Sequence, residues 1–136
     1  MSLVGPPPPF YVGIWFAFGD LTLHPDTISY VRHQSPDTKV LYQINSVKDA
    51  LNALDLVDVL VAQTFEAGGH FNPDADTCMV FVPMLAKKIH ERCSKLKKAV
   101  IPVIAAGGIA TGEQLAGTLG DTLFVEGSKL MGHFCQ

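Results

Sequence analysis

Short continuous apolar runs alternate along this chain with stretches whose apolar residues recur every three or four positions. The first kind suits strands buried on both faces, the second amphipathic helices. The runs are Tyr11 to Phe18, Lys39 to Ile44, Asp58 to Gln63, Val100 to Ala105 and Thr122 to Val125. After the first, Pro25 and Asp26 open a short helix with Ile28 and Val31 inward, closing near Gln34 to Pro36. Ser46, with Asp49 three residues on, reads as a capping box. The helix it starts carries Val47, Ala50, Leu51 and Leu54 on one stripe. Pro83 suits the first turn of a longer helix, with Leu85, Ile89, Cys93 and Leu96 on its buried face. Lys95, Lys97 and Lys98 crowd its end, where cations complement the dipole. Thr111 caps a last helix with Gln114 as box partner, and Leu115 and Leu119 point inward.

Strands and helices therefore alternate from end to end. That order implies a parallel sheet with right-handed crossovers. A closed eight-stranded α/β barrel needs about 250 residues. Five strands in 136 residues fit either a small open sheet or part of a barrel, and the pattern alone leaves both open.

The stretch that organises the rest is Val57 to His70, VDVLVAQTFEAGGH. An apolar run turns polar at Gln63 and Thr64, where a strand leaves the core. Glu66, Gly68, Gly69 and His70 follow at its carboxyl end, the end at which α/β folds bind ligands. An imidazole there, with a pKa near about 6.5, suits proton abstraction at neutral pH. His24, His33, His90 and His133 have no such setting. Gly107-Gly108 and Gly127-Ser128 each follow a predicted strand. Backbone N–H groups in such turns, with a helix start behind them, suit a phosphate. The other reading of Gly107-Gly108 is a tight strand-to-helix turn. Gln43 and Gln63 are neutral amides predicted at strand ends, able to donate and accept. Glu66 is assigned a structural role, pairing with a loop N–H. Glu126 precedes Gly127 and is expected to face away from a phosphate.

Composition narrows the classes. Apolar residues make up 48% and charged residues 17%, which is globular. A net charge of -3 speaks against nucleic acid or an anionic membrane as partner. Cys78, Cys93 and Cys135 are widely spaced and odd in number, a poor disulfide framework. They read as reduced thiols in a cytoplasmic protein. No apolar run approaches a membrane span of about 18 residues, no metal-ligand spacing of His and Cys occurs, and no G-x-S-x-G is present. Pro6 to Pro9 make residues 1–9 an extended tail, with one domain over 10–136.

VAQTFEAGGH, IPVIAAGGIATGEQLA and FVEGSKL, in this order, resemble the nitronate monooxygenase family, formerly called 2-nitropropane dioxygenases. GIWFAFG and KVLYQINSVKDALNAL are similar to the family's fourth strand and to its fifth strand with the following helix. The resemblance covers roughly residues 10 to 131. It implies an FMN-dependent (β/α)8 barrel of the TIM type, of which this chain supplies about five strands, the fourth to the eighth. It also implies a flavoprotein that oxidises nitronates or nitroalkanes with dioxygen. His70 would be the base. Gln43, Gln63, Gly69, Gly107, Gly108, Gly127 and Ser128 would hold FMN. The expected partners are thus a small-molecule substrate and dioxygen, with self-association possible through open sheet edges. With the first three strands missing, FMN binding by this chain alone is expected to be weak. Two further readings stay open. One is a catalytically silent half-barrel serving as a binding or assembly partner. The other is a different flavin reductase of the same barrel group.

Overall fold

The computed structural model describes residues 13–68, 75–123 and 130–132. The proline-rich tail, Gly69, His70, Gly127 and Ser128 lie outside these residues.

The strands are β1 (Gly13–Phe16), β2 (Lys39–Ile44), β3 (Val59–Gln63), β4 (Val103–Ala106) and β5 (Leu130–Gly132). The helices are α1 (Pro25–Gln34), α2 (Val47–Ala53), α3 (Cys78–Leu96) and α4 (Gly112–Leu123), with a 3-10 turn at Leu21–Leu23. All neighbouring strands pair parallel, in the chain order β1-β2-β3-β4-β5. A sheet that never reverses its order, crossed over always with one hand, stacks its helices on one face.

The registers separate the two faces. Tyr42 and Ile44, with Val40 on the same face of β2, lie level with Leu60 and Ala62, and these with Val103 and Ala105. This row forms the core, against Ile28 of α1, Ala50 and Ala53 of α2, and Phe81, Leu85 and Ile89 of α3. Full burial of one such side chain is worth about 1.5–3 kcal/mol. The opposite face carries Trp15, Leu41, Gln43, Val61, Gln63, Ile104 and Ala106. None of these belongs to the core cluster.

Local chemistry explains most element starts. Ser46 Oγ accepts the Asp49 N–H at 3.1 Å and donates to Asp49 Oδ2 at 2.7 Å, completing the expected box. Thr111 Oγ1 accepts the Gln114 N–H, and Gln114 Oε1 accepts the N–H groups of Ala110 and Thr111. At the amino end of the sheet Asp58 Oδ2 accepts the Val40 N–H at 2.8 Å and pairs with Arg32 at 3.2 Å.

Four expectations are corrected. The first strand is a half-exposed edge rather than a buried run: Trp15 is 53% exposed and Phe18 lies beyond the strand with φ +117°. Among the described residues nothing pairs with its outer side. The fourth strand starts late because Pro102 has no N–H to give; the ladder opens with its carbonyl, which accepts from Leu60. The third helix begins five residues ahead of Pro83, after Thr77, so the proline sits inside it and removes one helical bond. Leu96, at its far end, is exposed. Lastly, Thr122 and Leu123 end α4 instead of opening a strand, and the fifth strand comes at Leu130. The Thr111 box launches a helix that runs on through these residues, since β-propensity is a weak preference. The side chain of Leu119 lies outside the description; Leu115 packs against the core.

Candidate functional site

A cavity of about 460 Å³ opens at the carboxyl ends of β1 to β4. Small-ligand pockets run from about 300 to 1,000 Å³. Alternation along the strands decides which side chains reach it. Gln43 and Gln63 lie on the helix-free face, at or next to the end of their strands, and both line the cavity. Trp15 reaches it from the edge strand. Gln63 is 8% exposed and Thr64 beside it is fully buried.

The floor is made by two loops locked together. After β3, the Thr64 N–H donates to the Ala106 carbonyl at 3.0 Å, and the Ala67 N–H donates back to the Thr64 carbonyl. After β4 come Gly107 and Gly108, with φ of +119° and +73°. Only glycine takes such angles without strain. Space demands glycine as well. A Cβ on Gly107 would stand 2.5 Å from both the Ala67 nitrogen and Thr64 Oγ1. One on Gly108 would stand 2.9 Å from Glu66 Cβ. The contact between loops therefore accounts for both glycines even with no ligand present.

Glu66 is the one charged group among the described residues lining the cavity. Its Oε2 accepts the N–H of Cys78, the first residue of α3, at 2.9 Å. The expected pairing with a loop N–H is thus realised at a helix start. A carboxylate there is favoured by the dipole. Cys78 is buried, and burial above all pushes its thiol pKa up; the Glu66 charge adds to this, while the Thr118 hydroxyl opposes it. A thiol so held is a poor nucleophile. No group of His, Cys, Asp or Glu among the described residues could hold a metal ion.

Of the residues singled out from sequence, the structure brings Gln43, Gln63, Gly107 and Gly108 to one cavity. His70, Gly69, Gly127 and Ser128 lie outside the described residues. The premise for Gly127 and Ser128 changes, since in chain order they precede β5 rather than follow a strand. Sequence reasoning missed Trp15. Its signal was period two: Trp15 falls out of phase with Ile14 and Phe16, hence on the face opposite the core.

A second cavity, of about 230 Å³, lies beneath the loop after β1, between Phe16, Phe18 and Tyr42. The Tyr42 hydroxyl closes it by donating to the Gly19 carbonyl at 2.9 Å.

A model of the nitronate monooxygenase family matches residues 20–122. The nitronate monooxygenase of Neurospora crassa is 37% identical over 82 residues, covering 60% of this chain and 21% of that protein. Nitronate monooxygenase npaC of Metarhizium robertsii is 38% identical over 93 residues, covering 65% of this chain and 24% of that protein. The chain thus spans between a fifth and a quarter of the length of these relatives. Among solved structures, thiamine phosphate pyrophosphorylase from Pyrococcus furiosus superposes with a TM-score of 0.51 at 19% identity, covering 88% of this chain and 48% of that one. At that identity the likeness concerns the fold alone. No helix among the described residues is long and apolar enough to cross a membrane.

Proposed function

This chain belongs to the nitronate monooxygenase family, and from that premise we propose that residues 10–136 are part of a TIM-type barrel that binds FMN and oxidises nitronates or nitroalkanes. The single observation that carries the reading is convergence. Gln43, Gln63, Gly107 and Gly108 come from three neighbouring strands and line one cavity. Members of the family are generally flavin-dependent, and the cavity matches a flavin in part.

Two parts of the cavity fit. The amides of Gln43 and Gln63 match a ring edge that both donates and accepts. The Gly107-Gly108 turn lines the same cavity, and any phosphate there would meet its backbone on the side that Thr64, Glu66 and Ala67 leave open. Two features limit where the phosphate goes. The N–H groups of Ala110 and Thr111 are already given to Gln114. Glu66 repels an anion on its own side of the turn. Gly69, Gly127 and Ser128 are assigned to FMN by the family resemblance alone.

When bound, FMN would supply the redox chemistry, with dioxygen as its oxidant. The residues of this chain bind and orient. Gln43 and Gln63 hold the ring edge. Trp15 and Ile109 give the cavity apolar lining. His70 takes the acidic α-proton of a nitroalkane on an imidazole nitrogen. With a preformed nitronate it only orients the anion.

The chain holds one tryptophan, and it lines the cavity, so its emission reports binding. FMN should quench Trp15, and Gln43→Leu should weaken that binding about threefold to tenfold, the loss of one hydrogen bond. His70→Gln should slow nitroalkane turnover by about 10²–10⁴-fold and spare the nitronate. Unchanged Trp15 emission at saturating FMN would refute the cofactor site. Equal losses on both substrates would remove His70 from the base role.

A second reading keeps the fold without the activity, as a silent half-barrel that pairs with a partner through its open edges. It draws on the helix-free face, where Trp15 stays half exposed. The same titration separates the two, since a silent half-barrel leaves Trp15 unquenched.

A further inference from the structure

The second cavity, of about 230 Å³ beneath the loop after β1, takes no part in the flavin reading and is lined by a different chemistry. Phe16, Phe18 and Tyr42 bring three aromatic side chains to it, and Asp20, His24 and Thr27 bring polar ones. No Lys or Arg is among the lining residues, so the Asp20 carboxylate has no permanent cation on the wall beside it. Asp20 accepts from the Thr22 hydroxyl and from the Thr22 N–H, and these two bonds hold its pKa below the ordinary 3.8. It is therefore charged at neutral pH. Tyr42 is fixed by its hydroxyl, which donates to Gly19 and accepts from Leu21. Phe18 is the opposite case. It is 75% exposed and sits at φ +117°, an angle that strains a bulky residue. Backbone strain of this kind gathers at ligand clamps. The volume lies below the about 300 to 1,000 Å³ of common small-ligand sites, which restricts the cavity to a small head group.

We propose that this cavity binds a small organic cation, an alkylammonium head group, between the aromatic side chains of Phe16, Phe18 and Tyr42 and the carboxylate of Asp20. An alkylated ammonium spreads its charge over a surface that is mostly carbon. It is drawn to the face of an aromatic ring and to a carboxylate at once. An inorganic anion would meet the Asp20 charge instead. A metal ion is not served, since no group of His, Cys, Asp or Glu among the described residues could hold one. On α2, Asp49 adds a negative charge felt by Tyr42, and Lys48 a positive one felt by Asp20. The two carboxylates thus outnumber the one ammonium around the cavity. The site is independent of the flavin reading. Phe16 and Tyr42 lie on the helix-bearing face of the sheet, Trp15 and Gln43 on the other, so β1 and β2 separate the two cavities.

The test is a titration of the full, isotope-labelled chain followed by its amide NMR spectrum. The probes are choline, dimethylbutanol (in which carbon replaces the ammonium nitrogen) and inorganic phosphate. Choline should move the amides of Gly19, Leu21 and Thr27 with a Kd on the order of 1 mM, as suits so small a ligand. The amides of Gly107 and Ala110, at the other cavity, should stay in place. Dimethylbutanol should bind at least about fivefold more weakly, because it lacks the charge. Asp20→Asn keeps an oxygen for the Thr22 N–H and loses only the charge; it should weaken choline about fivefold and leave dimethylbutanol unchanged. Phe18→Leu keeps an apolar side chain without the ring, and should weaken choline about threefold. Still amides at Gly19, Leu21 and Thr27 in about 20 mM choline would overturn the proposal, as would movement at Gly107 and Ala110 in their place. Equal affinity for choline and dimethylbutanol would make the cavity merely apolar. Phosphate binding there more tightly than choline would make it an anion site. Asp20→Asn binding choline like the wild type would refute the role of the carboxylate. Should Asp20→Asn lose its dispersed spectrum, the wild-type comparison of choline with dimethylbutanol and the Phe18→Leu titration still decide.

Discussion

Gly107→Ala offers the sharpest separation between a glycine kept for a ligand and one kept for packing. The added methyl meets the Ala67 nitrogen and Thr64 Oγ1 at 2.5 Å, and the Ala67 Cα at 2.8 Å. Two of these three atoms are backbone, in a loop held by the bonds of Thr64 and Ala67. They cannot swing aside as the end of a side chain would. Forcing a methyl into a packed site costs about 1–3 kcal/mol. A non-glycine residue at φ +119° costs about 1–3 kcal/mol more. Together these approach about 2–6 kcal/mol, against a total stability of about 5–15 kcal/mol for a typical domain. Urea unfolding of the ligand-free chain measures it. With a slope of about 1–3 kcal/mol per molar, the midpoint should fall by about 1 M or more while the slope holds. Gly117→Ala is the control. It lies inside α4 with nothing within 4 Å of an added Cβ, and should raise stability by about 0.5–1 kcal/mol. A Gly107→Ala chain within about 0.5 kcal/mol of wild type would refute the packing argument. Packing would then not account for Gly107. Gly108→Val would lower FMN affinity wherever the phosphate sits, because its side chain displaces Glu66.

Tyr42→Phe removes the hydroxyl that donates to the Gly19 carbonyl at 2.9 Å and accepts from the Leu21 N–H at 3.4 Å; it should cost about 1–2 kcal/mol in urea unfolding. Burial pushes the Tyr42 pKa above its ordinary 10.0. The unfolded phenol therefore ionises first, and wild-type stability should fall as pH rises beyond 10.0 toward the folded value, a decline that Tyr42→Phe lessens. A decline of the same size in both proteins would count against it. Burial likewise holds the Cys78 thiol protonated past its usual 9.0, so iodoacetamide at pH 8 should label Cys78 at least about tenfold faster in urea than in the native chain. Equal rates, read by peptide mass, would show that the thiol is not buried.

The fold was legible where a local signal and the core agreed. The Ser46 box, the Thr111 box and the Lys39 to Ile44 strand each combine local chemistry with a side that is plainly apolar. It was misleading where one signal stood alone. Thr122 to Val125 is β-prone, but propensity is a weak preference, and the helix already started at Gly112 continues through Leu123. Pro83 suggested a helix start because proline favours the first turn, yet the capping here is done by Glu66, seventeen positions earlier in the chain and invisible to any local window. The apolar run at Tyr11 to Phe18 could not reveal an edge, since the partners of a strand are set by the whole sheet.

The site was legible for a simple geometric reason. Consecutive parallel order puts every strand's carboxyl end on the same side, so residues at strand ends meet whether or not their separation in sequence is large. Gln43, Gln63 and the Gly107-Gly108 turn were placed by that rule alone, and they line one cavity. The rule fails for a residue that follows a helix, which is the position Gly127 and Ser128 take once α4 extends to Leu123 and β5 begins at Leu130. It says nothing of what joins one loop to the next. The glycines read as an anion's turn also complete a contact between loops, and the acid assigned to structure is the piece they press on. Packing and ligand reach thus draw on the same backbone. A substitution there changes both, and only a measurement on the ligand-free chain tells them apart.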